Sequence, residues 1–282
     1  MRVFTEELRR GIGSWRFAAA LIIGATIASL HAALFVVPES QNQEMYIELI
    51  QHPMTAYGRW MGGWAETMFP FLYFYLQPLL CCLPFSDSLW SDRKSGWAQQ
   101  IAVRSSRRTY LLAKMAACSI SATLVALIPL LLNFYLTALF LPVFQPEPSS
   151  ALYPIHAYSM WSDLFYANAP LYLASYALLI AITVSLLACL PIAITSWVRN
   201  GFILACSSFL LCTILQFLFA GDLMGTEDYV FLSPVTFMQP YQPFHSGIGL
   251  ERIAITLTIL LIVEVFGFWH QLQSKDMIGG EE

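Results

Sequence analysis

Residues 84–114 read PFSDSLWSDRKSGWAQQIAVRSSRRTYLLAK and lie between two long apolar runs. Six of the chain's fourteen Lys and Arg residues fall in this stretch: Arg93, Lys94, Arg104, Arg107, Arg108 and Lys114. Basic residues collect on the cytoplasmic side of membrane proteins. A polar, basic insert between two spans is therefore expected at that surface. The same layout suits a docking element for a cytoplasmic partner. It predicts the membrane half of a machine whose motor is a separate chain.

Composition agrees with a membrane setting. Of 282 residues, 57% are hydrophobic and 11% charged, and the mean hydropathy is +0.61. Soluble domains carry about 25% charged residues, so this chain has too few charges to cover a water-facing surface. An all-α integral membrane protein is expected. Apolar runs long enough to span, about 20 residues each, occur at 17–37, 67–86, 116–141, 170–194, 201–220 and 253–272. They predict six transmembrane helices in a single domain over residues 1–282. No internal repeat, low-complexity tract, cleavable signal peptide or separate soluble domain is evident.

Orientation follows from the basic residues. With the N-terminus inside, the cytoplasmic face collects twelve of them, against Arg59 and Arg252 outside. Both termini are thus expected in the cytoplasm. Ten acidic residues fall on the outer face in this topology. They could attract cationic peptides, although they are also the plain complement of the inside bias. The net charge of −4 averages two unlike faces and gives no reason to expect a nucleic-acid partner.

The N-terminal segment 2–16, RVFTEELRRGIGSWR, sets Phe4, Leu8, Ile12 and Trp15 at helical spacing, with Arg9, Arg10 and Arg16 opposite. It reads as an interfacial helix. An irregular lead-in is the alternative, because Gly11 and Gly13 weaken a helix. The outer segment 221–252 is too aromatic for a plain solvated loop and is expected to pack back onto the bundle. In segment 38–66, Met45, Tyr46 and Leu49 could share a short helix face.

Several chemistries lack their motifs. There is no P-loop, HExxH or GxSxG, so neither ATP nor magnesium is expected to bind this chain itself. His52, His156 and His245 would share the outer side, but their spacing gives no support for a metal site. The six cysteines, Cys81, Cys82, Cys118, Cys189, Cys206 and Cys212, fall in or beside spans and read as packing residues.

Within the inner loop, DRKSGWAQQIAV can form a short helix with Trp97 and Ile101 four residues apart on one face. Gly96 beside them permits a bend or close approach. On charge alone an ordinary positive-inside loop, with Lys114 snorkelling, is the better reading. The order Asp92, Gly96, Arg104, Arg107, Tyr110, Lys114, followed by a long apolar helix, resembles ABC-2 type transporter permeases. The chain differs from that family in carrying Asp92 where Glu is common and Trp97 where Thr is usual. The resemblance implies a coupling helix between spans 2 and 3 that docks on a cytoplasmic ATP-binding cassette ATPase. It also implies a second permease copy or paralogue, with ATP and magnesium held by the ATPase. The expected setting is a bacterial plasma membrane, and the expected cargo an amphipathic or hydrophobic peptide, lipid or drug. The rival reading is a membrane scaffold or sensor that anchors a cytoplasmic protein through the same loop.

Inside the spans, Glu264 falls near the middle of the last apolar run. A charge there costs about 2.5–3.5 kcal/mol on insertion scales, which makes it a functional candidate. The favoured reading is a protonated carboxyl hydrogen-bonded to a neighbouring helix, with Asn133, Gln216 and Gln77 as candidate partners. Pro78, Pro129 and Pro191 would kink their spans. Phe69, Phe71, Tyr73, Phe74 and Tyr75 read as belt and packing.

Overall fold

The computed structural model describes residues 2–42, 44, 47, 54–63, 67–147, 155, 159–198, 200–220, 232–241 and 250–273. The expected roles of Met45, Tyr46, Leu49, His52, His156 and His245 therefore lie outside the described residues. Those described form helices and connecting turns, with no strand among them.

Five helices are long and apolar enough to cross a membrane. They are α2 (Trp15–Gln41), α7 (Arg107–Phe140), α9 (Ala169–Ile194), α10 (Gly201–Ala220) and α12 (Leu250–Gln273). The chain is accordingly a multi-pass membrane protein. The shorter elements are α1 (Arg2–Ile12), α3 (Ala56–Arg59), α4 (Met68–Cys82), α5 (Ser88–Lys94), α6 (Trp97–Arg104), α8 (Ser162–Ala167) and α11 (Pro234–Phe237).

Local chemistry sets several ends. The expected helix over 2–16 is interrupted after Ile12, and Ser14 caps α2 instead. The Ser14 hydroxyl accepts from Phe17 N–H at 3.1 Å while donating to the Gly11 carbonyl at 2.9 Å, a standard N-cap exchange. Trp15 consequently belongs to α2 and not to the face of α1. Ser106 caps α7 in the same way, accepting from Thr109 N–H at 3.2 Å. That cap starts α7 well before position 116, so its 34 residues reach about 50 Å. They exceed a hydrocarbon core of about 30 Å. The run expected over 67–86 yields a helix of 15 residues. It stops at Cys82, with Leu83 still in helical geometry as its cap, and Pro84 beyond it has no N–H to continue the ladder.

The bundle is built around α7 and α9, which pack along each other; α1 and α2 flank α7, and α12 lies on α9. Of the five long helices, α9 is the most enclosed, with 61% of its most apolar window buried against 22% for α10. Small residues permit the close crossings, as in other membrane helix pairs. A Cβ at Gly24 would lie 2.7 Å from the Pro129 ring, and one at Gly267 2.6 Å from Ala193 Cβ. Five cysteines are buried in the bundle, Cys206 is half-buried, and all six are free thiols. Of the aromatic segment 221–252, the described part 232–241 does pack back: Val235, Phe237 and Met238 are buried, and α11 contacts α10 and α4.

Candidate functional site

The loop of segment 84–114 folds as two helices and not one. α5 ends at Lys94, and α6 begins at Trp97. Gly96 between them takes φ +74°, a left-handed conformation that an L side chain adopts only at a cost. Space is not the constraint, because a Cβ at Gly96 would meet nothing within 4 Å. Asp92 and Trp97, expected on one helix, therefore sit on separate elements either side of the bend.

Asp92 is turned inward and only 1% exposed. Arg10 on α1 reaches it through Nη2 at 2.6 Å and Nη1 at 3.2 Å. Lys114 on α7 reaches it at 2.7 Å, and the Tyr110 hydroxyl donates to the same carboxylate. Glu7, one helical turn before Arg10, completes the group: Lys114 Nζ lies 2.9 Å from Glu7 Oε2, and Arg10 Nη1 2.9 Å from Glu7 Oε1. Two acids and two bases thus form a closed, neutral cluster that pins α1, α5 and α7 together. Lys114, wholly buried, also lies 4.7 Å above the Phe85 ring and 5.2 Å above Tyr110.

The electrostatics follow from this pairing. The hydrogen bond to Asp92 lifts the Arg10 guanidinium above its usual range, against the opposing effect of burial. Burial pushes the Asp92 carboxyl up, but its bonds to Arg10, Lys114 and Tyr110 together outweigh that and hold it below the usual carboxylate value. Breaking one partner of such a buried pair exposes the remaining charge to a low-dielectric site, which is why clusters of this kind act as braces.

The other loop residues divide between structure and surface. The Arg93 guanidinium donates to the Gln271 side chain, and Arg107 donates to the Leu272 carbonyl at 3.2 Å. Gln271 in turn donates to the Ile192 and Ala193 carbonyls. These contacts tie the loop to the C-terminal ends of α12 and α9. Ile101 packs partly on the main core. Trp97 is 44% exposed, with the Arg10 guanidinium 5.8 Å from its ring. The side chain of Arg104, at the end of α6, lies outside the described residues. The eight expected site residues thus include three that meet in the brace (Asp92, Tyr110, Lys114) and one exposed apolar knob, Trp97.

Glu7, Arg10, Arg93 and Gln271 were missed as site residues. Glu7 carried a readable signal: it lies between Phe4 and Leu8 on the apolar side of α1, where a carboxylate needs a partner. Arg93 and Gln271 carried none, since they meet only through the tertiary fold.

The intramembrane candidates do not converge. Asn133 accepts from Met61 N–H at 2.7 Å and donates to the Ala28 carbonyl at 2.8 Å. Its Nδ2 also lies 3.1 Å from His31 Nδ1. Asn133 is thus occupied in fastening segment 54–63 to α2. Gln216 accepts from Thr236 at 2.9 Å, holding α11 to α10. Gln77 and the Glu264 Oε1 atom are buried without hydrogen-bond partners among the described residues. The expected bond from Glu264 to one of these three amides is not formed among the described residues: Asn133 and Gln216 are bonded elsewhere, and the Gln77 side chain is unbonded. Among the described residues no group of three or more His, Cys, Asp or Glu side chains is placed to hold a metal ion.

Comparison with protein families, curated proteins and solved structures finds no match to this chain.

Proposed function

We propose that the chain is the permease subunit of an ATP-binding cassette exporter of the ABC-2 type. It would work as a pair with a second copy or a paralogue, driven by two cytoplasmic ATPase subunits that hold ATP and magnesium. In this reading α4 is a sixth span, both termini are cytoplasmic, and the membrane is a bacterial plasma membrane. The cargo is an amphipathic or hydrophobic peptide, lipid or drug. The observation that carries the reading is the joining of an exposed docking knob to a rigid brace. Trp97 is exposed on α6, one glycine bend away from α5, which is held through Asp92 to α1 and to the long α7. A push on α6 would reach the spans as a rigid-body movement, the kind of transition packed elements support.

The topology has its own test. With the six native cysteines removed, Ser40→Cys should label from outside in intact cells with a membrane-impermeant maleimide, and Ser105→Cys should label only after permeabilisation. Labelling of position 105 from outside would reverse the orientation.

Docking is tested by Trp97→Asp, alone and with Ile101→Asp. Burying an unpaired carboxylate in an ATPase groove costs several kcal/mol, so co-purification of the ATPase should fall more than about tenfold. Glu264→Gln should leave co-purification unchanged. Normal ATPase binding and transport by the Trp97→Asp variant would remove the docking role. A complex that purifies with a cytoplasmic protein lacking ATPase activity would favour the scaffold reading.

A further inference from the structure

A second polar site lies at the corner where α1 meets α2 and α4 meets α5. Arg10, Trp15, Arg16, Pro84, Asp87 and Ser88 line an open cleft of about 200 Å3 there, smaller than a drug-sized site. Arg10 is committed to Glu7 and Asp92, which leaves Arg16 and Asp87 as the charged pair facing the cleft. Arg16 uses a single nitrogen for that pair: Nη1 lies 2.8 Å from both Asp87 oxygens. Its Nε and Nη2 donors have no partner among the described residues. Those two nitrogens form one edge of the guanidinium fork, the geometry that grips a phosphate with two parallel hydrogen bonds. The Asp87 carboxylate keeps lone pairs for a further donor. Ser88 is among the lining residues, and its buried hydroxyl has no hydrogen-bond partner among the described residues.

The charge balance selects the ligand. One guanidinium edge and one carboxylate, locally neutral, match a group bearing a phosphate and a primary ammonium. A quaternary choline cannot donate to Asp87 or Ser88, and a purely anionic headgroup would face the Asp87 charge uncompensated. Depth selects the source. Trp15 is 78% exposed and opens the first membrane-crossing helix, and tryptophans in that position sit at headgroup level.

We propose that this cleft binds the phosphoethanolamine headgroup of a membrane phospholipid. The phosphate lies on the Nε–Nη2 edge of Arg16, and the ammonium points to Asp87 and the Ser88 hydroxyl. The site depends on the membrane fold and is independent of the transport reading.

The test uses the full chain extracted from equimolar phosphatidylethanolamine, phosphatidylcholine and phosphatidylglycerol bilayers, with retained lipids counted by native mass spectrometry. The wild type should retain phosphatidylethanolamine about tenfold over either competitor. Arg16→Lys keeps the charge but loses the fork, and should bring retention of the three lipids close to parity. Asp87→Asn should erase the discrimination against phosphatidylglycerol while phosphate binding persists. Arg9→Gln, which removes an exposed charge from the neighbouring helix α1, should change nothing. Equal retention by the wild type, a preference for phosphatidylglycerol, or selectivity that survives Arg16→Lys in a protein of unchanged melting temperature would overturn the assignment. Displacement of the lipid by an equal concentration of soluble glycerophosphoethanolamine would overturn the membrane source.

Discussion

Lys114→Met should be the most damaging single substitution in the chain, lowering stability by about 3–5 kcal/mol. Methionine fills much of the same space, so the loss comes from charge and not from a cavity. Glu7 Oε2 and Asp92 Oδ2 each lie within 2.9 Å of Lys114 Nζ, and both carboxylates stay buried when the ammonium is gone. Arg10 alone cannot neutralise two of them. The measurement is the melting temperature, or the denaturant midpoint, of the full chain in detergent. The double variant Lys114→Met/Asp92→Asn should recover more than half of the loss, because Glu7 and Arg10 then balance. If the double variant is as unstable as the sum of the two singles, the residues do not act as one cluster.

Gly267→Leu should have the next largest effect, about 2–4 kcal/mol, through overpacking at a helix crossing. A Cβ there would stand 2.7 Å from the Ala193 carbonyl oxygen and 2.9 Å from Ala193 Cα. Those are backbone atoms of a helix and cannot turn aside as a flexible side chain would. The outcome is separation of α12 from α9 near their C-terminal ends, with loss of the Gln271 bonds to the Ile192 and Ala193 carbonyls. Protease accessibility after Gln273, compared with Gly267→Ala as the milder case, would read it. Equal resistance of the leucine variant would show that the crossing can open without cost.

The helices were largely legible from the sequence, and the reasons are physical. Membrane spans must satisfy their own backbone hydrogen bonds and be apolar, so length and hydropathy alone located α2, α7, α9, α10 and α12. The ends were less legible because caps decide them: Ser14 and Ser106 start helices inside stretches read as continuous or as loop. Pro84 shortened α4 for the same local reason. The loop was recognised as the chemically informative segment, and Asp92, Tyr110 and Lys114 were singled out in it. Their partnership was not. Arg10 and Asp92 stand 82 residues apart, and no periodicity in either segment announces the other. Charge alone pointed Lys114 outward, toward the lipid boundary, whereas burial turned it into the centre of the cluster.

The brace also imposes an order on biogenesis. Glu7 is made before its buried partner Lys114, which follows 107 positions later. Arg10 on the same helix is one partner of Glu7, but the buried seat of the carboxylate is completed only by Lys114, so α1 cannot reach its final position when only α2 has been made. Only when the start of α7 emerges can the first helix take its place. A segment made before α2 is therefore seated only after α7, and its docking marks the completion of this half of the bundle.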